Sequence, residues 1–415
     1  MVDLTLLPIL FGVFGIAMAM GLVIRMLEPS IRPRLRERRD CAAVQSSLDH
    51  DPLRLGGIAA FGAYLIGAIY VTVRFDDAVG LVLIAAGAPV LIAGLSEDFG
   101  RLIPAKARFF AALGSALLCI VLLGEWAPRT DIPYFDALMV LAPVAIGMTV
   151  LFAGGLCHAV NLIDGMNGLG AVTVSSSAVG IGIVAYASGL PHIGTLAYVL
   201  AAATMGFVVM NWPKCRLLLG DAGAYGLGHL LVWLMLLVVI NAPDVSVPAL
   251  VLILFWPVAD TLHSILYRAL RKKKIFEPDR RHLHQKIRRC LEIALVGRNG
   301  RERANPLTTV VMTPLILIPV VTGVLLSENV PLAWMAMIFY AVVFGWLHRV
   351  TSRFARTRRR KKPAAAFRQA APSPATRQEP KITATAGMAQ ASSARLHQPQ
   401  VEPRFAGSYS GSGGV

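Results

Sequence analysis

Charge is what this sequence has least of. Only 15% of its 415 residues are Asp, Glu, Lys or Arg, while 55% are hydrophobic, and the mean hydropathy is +0.61. A water-soluble core of this size would need far more polar surface, so a helical membrane bundle is the class left standing. Cysteine is also scarce. Cys41, Cys119, Cys157, Cys215 and Cys290 are scattered and form no C-x-x-C pair, which argues against a disulfide framework or a thiolate metal centre. The first apolar run, Leu4 to Ile24, follows Asp3 and has neither a basic leader nor a small-residue cleavage site. It reads as a retained first helix rather than a secretory signal. No span interior carries a ladder of charges and no inverted repeat stands out, which weakens a transporter reading.

What is present is a series of apolar runs near the length that crosses a bilayer. The pattern predicts an all-α polytopic bundle of eleven spans, at 4–24, 57–73, 78–95, 108–124, 137–155, 170–188, 195–212, 224–241, 247–266, 307–326 and 331–348. With the loop after the first span placed on the cytoplasmic side, all 40 Lys and Arg except Arg74 and Arg129 fall on that side. The positive-inside rule then puts the N-terminus outside and the C-terminus inside. The net charge of +16 does not point to nucleic acid, because much of it sits in the tail. Residues 351–415 are basic and rich in Ala, Pro, Ser, Gln and Gly. They are expected to form a disordered cytoplasmic tail that meets anionic membrane lipids, after an integral domain over 1–350.

Four polar constellations interrupt the apolar pattern, all on the cytoplasmic side of this topology. Ser96-Glu97-Asp98-Phe99-Gly100 closes one run. Its adjacent carboxylates need a cation nearby, and Lys106 and Arg108 follow closely enough to supply charge or to hold a phosphate. Asn161-Leu162-Ile163-Asp164-Gly165-Met166-Asn167-Gly168 follows a second run. Its polar residues, spaced by three, share one face if the segment is helical. A capping turn explains one of them but not three. Gly220-Asp221-Ala222-Gly223 opens a third run. There Asp221 is either an N-cap or a hard oxygen ligand suited to Mg²⁺. The loop Lys272 to Gln285 carries Arg281, His282 and His284. Histidines flanked by arginine fit a pyrophosphate better than zinc, for which no further ligand is at hand.

In this order the four segments resemble the polyprenyl-phosphate N-acetylhexosamine-1-phosphate transferase family, over roughly residues 1–350, and most of all the branch that initiates O-antigen or related surface polysaccharides. Glu97-Asp98 looks like the family's acidic pair, with Glu where two aspartates are usual. Arg54-Leu55-Gly56-Gly57 looks like its approach to the second span. Leu218 stands where an aromatic residue is common, and the three consecutive histidines of the muramoyl-pentapeptide branch are missing. The resemblance implies transfer of a sugar-1-phosphate from a UDP-sugar to undecaprenyl phosphate. Asn161 and Asp221 would hold Mg²⁺, or Mn²⁺ in its place. Asp98, Glu97 and Asp164 would be the catalytic acids, and Asn167 would contact the nucleoside. Arg281, His282 and His284 would bind the pyrophosphate, and Lys106 and Arg108 the lipid phosphate. The alternative is a non-catalytic or transport protein that handles lipid-linked saccharides. The sequence admits a homodimer without requiring one.

Overall fold

The computed structural model describes residues 4–35, 51–272, 281–297 and 300–360. In chain order its α-helices are α1 (Leu7–Met26), α2 (Glu28–Ile31), α3 (Gly56–Phe75), α4 (Val79–Ala86), α5 (Ala88–Asp98), α6 (Ala105–Leu123), α7 (Pro133–Met139) and α8 (Ala142–Ile163). There follow α9 (Leu169–Ala187), α10 (Pro191–Asn211), α11 (Gly220–Asn241), α12 (Val247–Ile253), α13 (Phe255–Leu270), α14 (Leu283–Leu291), α15 (Arg301–Leu325) and α16 (Val330–Arg360). Among the described residues there is no sheet, only an isolated parallel bridge between Leu53 and Leu217. Long helices satisfy their own backbone groups, as a span in lipid must.

Among the described residues nine helices are long and apolar enough to cross a membrane, and two bent pairs bring the number to 11, as the sequence predicts. The bends are the difference. The runs expected as single spans over 78–95 and 247–266 are broken, by 50° between α4 and α5 and by 87° between α12 and α13. Proline explains both. Pro89 stands in the first turn of α5, where its missing N–H is tolerated. Pro257 cannot donate to the carbonyl of Ile253 four residues back, and Ser177 Oγ on α9 donates to that carbonyl instead, at 2.8 Å.

The core lies around α11. An 18-residue stretch of this helix is 94% buried, against 11% for α16, so the apolar exterior is carried by outer helices, with Phe11, Met335 and Phe339 among the exposed residues. Close approaches fix the N-terminal end of α11. A Cβ on Gly57 of α3 would lie 2.4 Å from Gly223 Cα, and one on Gly94 of α5 would lie 2.5 Å from the Ala222 backbone. Small residues let the helices touch through their backbones.

α16 runs past the predicted span end at 348, through the expected domain boundary, to Arg360. Thr351, Ser352 and Thr357 bond back to carbonyls of the preceding turn. A helix of 31 residues is about 46 Å long, against roughly 30 Å of hydrocarbon, so its Arg-rich end projects beyond the apolar layer. Residues 361–415, which make up most of the expected tail, lie outside the described residues.

Candidate active site

The first turn of α11 organises the site. Gly220 has φ +79°, and a Cβ there would meet Arg54 O at 2.1 Å and Asp98 Oδ2 at 2.6 Å, so glycine is required. The exposed N–H groups of a helix start need an acceptor. Asp98, in the last turn of α5, supplies it: Oδ1 accepts the N–H of Asp221 at 2.8 Å and Oδ2 that of Ala222 at 2.9 Å. The cap thus comes from another helix, and Asp221 is not its own N-cap. Its carboxylate is engaged elsewhere.

Three partners meet on Asp221. Arg54 Nη2 donates to Oδ1 at 2.8 Å, Asn161 Nδ2 donates to the same oxygen at 3.1 Å, and Arg108 Nη1 pairs with Oδ2. Arg54 also donates from Nε to Asp98 Oδ1 at 2.9 Å. Arg108 lies 4.0 Å from Glu97 Oε1 and over the ring of Tyr225, 6.0 Å from its centroid. Glu97 Oε2 accepts the N–H of Ile103 at 2.7 Å, tying the loop before α6 to the end of α5. Arg54 was not among the expected site residues. It is brought there by backbone pairing: Leu218 N–H donates to Leu53 O at 2.8 Å, Gly56 N–H to Leu218 O at 2.8 Å and Gly57 N–H to Leu219 O at 2.7 Å.

The polar residues of the second constellation do not share one helical face. α8 ends at Ile163, and Asp164 opens a turn closed by Gly168 at φ +79°. Asn161 reaches Asp221, as above. Asp164 is half-buried, and its removal from water pushes its carboxyl up to about 8; Arg54 opposes the rise while Asp221 and Asp98 add to it. Asn167 belongs to a separate network. Its N–H donates to Asn305 Oδ1 at 2.8 Å, its Nδ2 to Pro213 O at 2.8 Å, and its carbonyl accepts from Thr309 Oγ1 at 2.6 Å. Asn167 therefore ties this turn to α15 and to the approach to α11. Lys106 is exposed at the start of α6, while Arg108, two residues on, reaches the cluster.

The histidine segment docks on a carboxylate outside the four constellations, Asp260 in α13. His282 Nδ1 lies 2.7 Å from Asp260 Oδ2, and Leu283 N–H donates to Oδ1 at 3.1 Å. His284 is fully buried, and its Nε2 lies 3.3 Å from where a Cβ on Gly165 would sit, so this segment reaches the 164–168 turn. Burial pushes His284 down to about 4, with Asp260 opposing and His282, Arg288 and His348 assisting. Its surroundings therefore favour the neutral ring. The Arg281 guanidinium stacks 4.1 Å from the Tyr267 ring centroid. Lys273 to Arg280 of the same loop lie outside the described residues.

Among the described residues no three His, Cys, Asp or Glu side chains form a set that could hold a metal ion by themselves. A Mg²⁺ site needs only one or two carboxylates, with substrate phosphates and water completing it, and the chemistry here fits that. Glu97, Asp98, Asp164 and Asp221 interact with the guanidiniums of Arg54 and Arg108.

Residues 80–239 match the model of Glycosyl transferase family 4, a stretch that holds Asp98, Asn161, Asp164 and Asp221. The chain is 30% identical over 245 residues to the probable undecaprenyl-phosphate N-acetylglucosaminyl 1-phosphate transferase of Bacillus subtilis (strain 168), covering 57% of this chain and 66% of that protein. It is 27% identical over 244 residues to the undecaprenyl-phosphate alpha-N-acetylglucosaminyl 1-phosphate transferase of Yersinia pestis, covering 57% and 65%. It is 24% identical over 307 residues to the protein of that name from Salmonella typhi, covering 70% and 77%. The first two alignments thus span just under two thirds of those relatives. These matches support the resemblance of the chain to the polyprenyl-phosphate N-acetylhexosamine-1-phosphate transferase family.

Proposed function

We propose that this chain transfers a sugar-1-phosphate of the N-acetylhexosamine type, with N-acetylglucosamine favoured by its relatives' names, from a UDP-sugar to undecaprenyl phosphate. The observation that carries the reading is the meeting of Asp98, Asn161 and Asp221 with two guanidiniums at one end of the bundle. That is a site for phosphates and a divalent cation. An oxygen of the lipid phosphate attacks the sugar-bearing phosphorus. The new P–O bond forms as the bond to the bridging pyrophosphate oxygen breaks, and UMP leaves with that electron pair. Asp221 and the side-chain carbonyl of Asn161 would hold Mg²⁺, or Mn²⁺ in its place, and Asp164 lies close enough to feel the charge of Asp221. When bound, the ion neutralises phosphate charge and aligns the pyrophosphate.

The chain's own residues do the remaining work. Arg108 and Arg54, now paired with carboxylates, are the donors suited to phosphate oxygens, since a planar guanidinium matches them in pairs. A phosphate monoester has a second pKa of about 6, so the lipid phosphate is already dianionic near neutral pH. Little is left for a general base. Both oxygens of Asp98 accept backbone N–H groups of α11. This supports a positioning role for Asp98 over a nucleophilic one.

The same reading puts the site on the cytoplasmic side of a bacterial inner membrane. All Lys and Arg but Arg74 and Arg129 fall on one side of the predicted topology. The Arg-rich end of α16, suited to anionic lipids, is joined to α14 by Cys290 Sγ donating to Thr351 O at 3.6 Å. The test is release of UMP from a panel of UDP-sugars by purified protein. It should require both Mg²⁺ and undecaprenyl phosphate, and Asp221→Ala should abolish it while the protein still inserts. Full activity in that variant, with Mg²⁺ still required, would refute the assignment of the ion to Asp221.

A further inference from the structure

Asp260 is buried in α13, outside the cluster on Asp221, and basic groups from three parts of the chain surround it. Its Oδ2 lies 2.7 Å from His282 Nδ1 and 3.9 Å from His284 Nδ1, and its Oδ1 lies 3.8 Å from His348 Nε2 on α16. Leu283 N–H donates to Oδ1 at 3.1 Å. His348 in turn lies 2.9 Å from Lys286 Nζ on α14, and its ring centroid is 4.0 Å from that of His263 on α13. The rings of His282 and His284 are parallel, with centroids 5.5 Å apart. Arg288 also acts on His284, and it pairs at 3.2 Å with Glu292, which answers Arg289 as well. Next to His282 in sequence, Arg281 is stacked on Tyr267.

One carboxylate therefore holds both a ring nitrogen of His282 and the backbone beside it. A hydrogen bond at Nδ1 decides which nitrogen of an imidazole is left for other contacts, here Nε2. A carboxylate at this distance also favours the charged ring. We propose that Asp260 is a positioning residue for the nucleotide end of the site: by holding the Nδ1 proton of His282 it fixes that ring and the positive charge it offers a pyrophosphate. The inference rests on the transferase reading, in which His282 meets the pyrophosphate of the UDP-sugar. Asp260 does not touch substrate and acts through His282.

The test uses full-length protein, wild type and Asp260→Asn, Asp260→Glu and His282→Gln, with ¹⁵N-labelled histidine. The His282 ring signals, assigned by their loss in His282→Gln, should report an Nδ1-bound proton in the wild type. The ring should lose its charge at least about one pH unit lower in Asp260→Asn. An unchanged titration overturns the proposal. In the transfer assay, KM for UDP-N-acetylglucosamine in Asp260→Asn should rise about tenfold at the alkaline end of the pH range and less at the acid end. The kcat should change far less, and Asp260→Glu should restore the wild-type profile. A uniform loss at every pH, in a variant that still folds, would mean that the carboxylate is only structural and would overturn the proposal. If the wild type turns over no UDP-sugar, the transferase reading fails instead, and the ring signals alone decide the link between Asp260 and His282.

Discussion

Replacing Arg54 by Gln removes one charge that two carboxylates share. The Arg54 side chain is 19% exposed, that of Asp98 is 0% and that of Asp221 is 8%, so solvent screens these bonds little. A hydrogen bond between charged groups contributes about 1.5–3 kcal/mol. Gln can keep one donor towards one of the two acids, so about 3 kcal/mol of organisation should be lost. If that organisation is needed in the transition state, kcat/KM falls by about two orders of magnitude. A second consequence has the opposite sign. With one guanidinium gone, the acids around Asp221 carry more uncompensated negative charge, so the Mg²⁺ concentration giving half-maximal activity should fall. Arg54→Lys should lie between, because it keeps the charge but not the two-pronged donor. The assay is UMP release against UDP-sugar and against Mg²⁺, with thermal inactivation followed in parallel. Activity within about threefold of wild type, or an unchanged Mg²⁺ requirement in a folded variant of low activity, would refute the place given to Arg54.

Gly94→Ala would put a Cβ 2.5 Å from the Ala222 backbone, whereas nothing lies within 4 Å of the corresponding position on Gly155. The first should cost about 1–3 kcal/mol of stability by overpacking and lower activity by shifting Asp98 against α11. Gly155→Ala should do neither, and thermal inactivation with UMP release separates them. Removal from water pushes the Asp164 carboxyl up to about 8. An acid raised in the folded state stabilises it below the unfolded value and loses that contribution as pH rises through about 8. Cation binding beside Asp164 should therefore release a proton and tighten as pH rises to that point, and Asp164→Asn should flatten the dependence of half-saturating Mg²⁺ on pH. Ser177→Ala would leave the Ile253 carbonyl without the bond it accepts at 2.8 Å. Thermal inactivation should show a loss of about 1–3 kcal/mol, with the Mg²⁺ requirement unchanged.

The number of spans was legible because each apolar run is close to the bilayer thickness, whatever packs beside it. Their bends were readable in principle: Pro89 and Pro257 stand inside runs taken as single spans. Asp98, Asn161, Asp221 and Arg108 could be singled out because each lies at the end of an apolar run, and the structure brings them together. Arg54 stood out only as part of Arg54-Leu55-Gly56-Gly57 at the entry to a span, which gave it no place in the site. What selects it is the backbone pairing of Leu53–Gly57 with Leu217–Leu219, a tertiary contact with no local signature. Asp260 did carry a signal, as a lone acid within a span, where a charge is costly and marks function by default. The regular spacing of Asn161, Asp164 and Asn167 misled, since a helix face exists only while the helix continues, and α8 stops at Ile163.

The side chains expected to do chemistry are held by contacts in which chemistry is absent. Gly57 meets Gly223 and Gly94 meets Ala222 at distances that admit no side chain. These contacts bring the end of α5 and the start of α3 onto the first turn of α11. Only then can Asp98 cap that turn, and only with Asp98 and Asp221 side by side can a single guanidinium bridge them. Charges so close in a site partly removed from water would repel strongly if left alone, so the backbone packing must hold them together while the arginines offset them. The site is thus built with its carboxylates already gathered, and a divalent ion entering with a nucleotide would find its ligands in place and meet cations that can move to the phosphates. Exchange of partners on Asp221, rather than assembly of a new site, is the step that this arrangement favours.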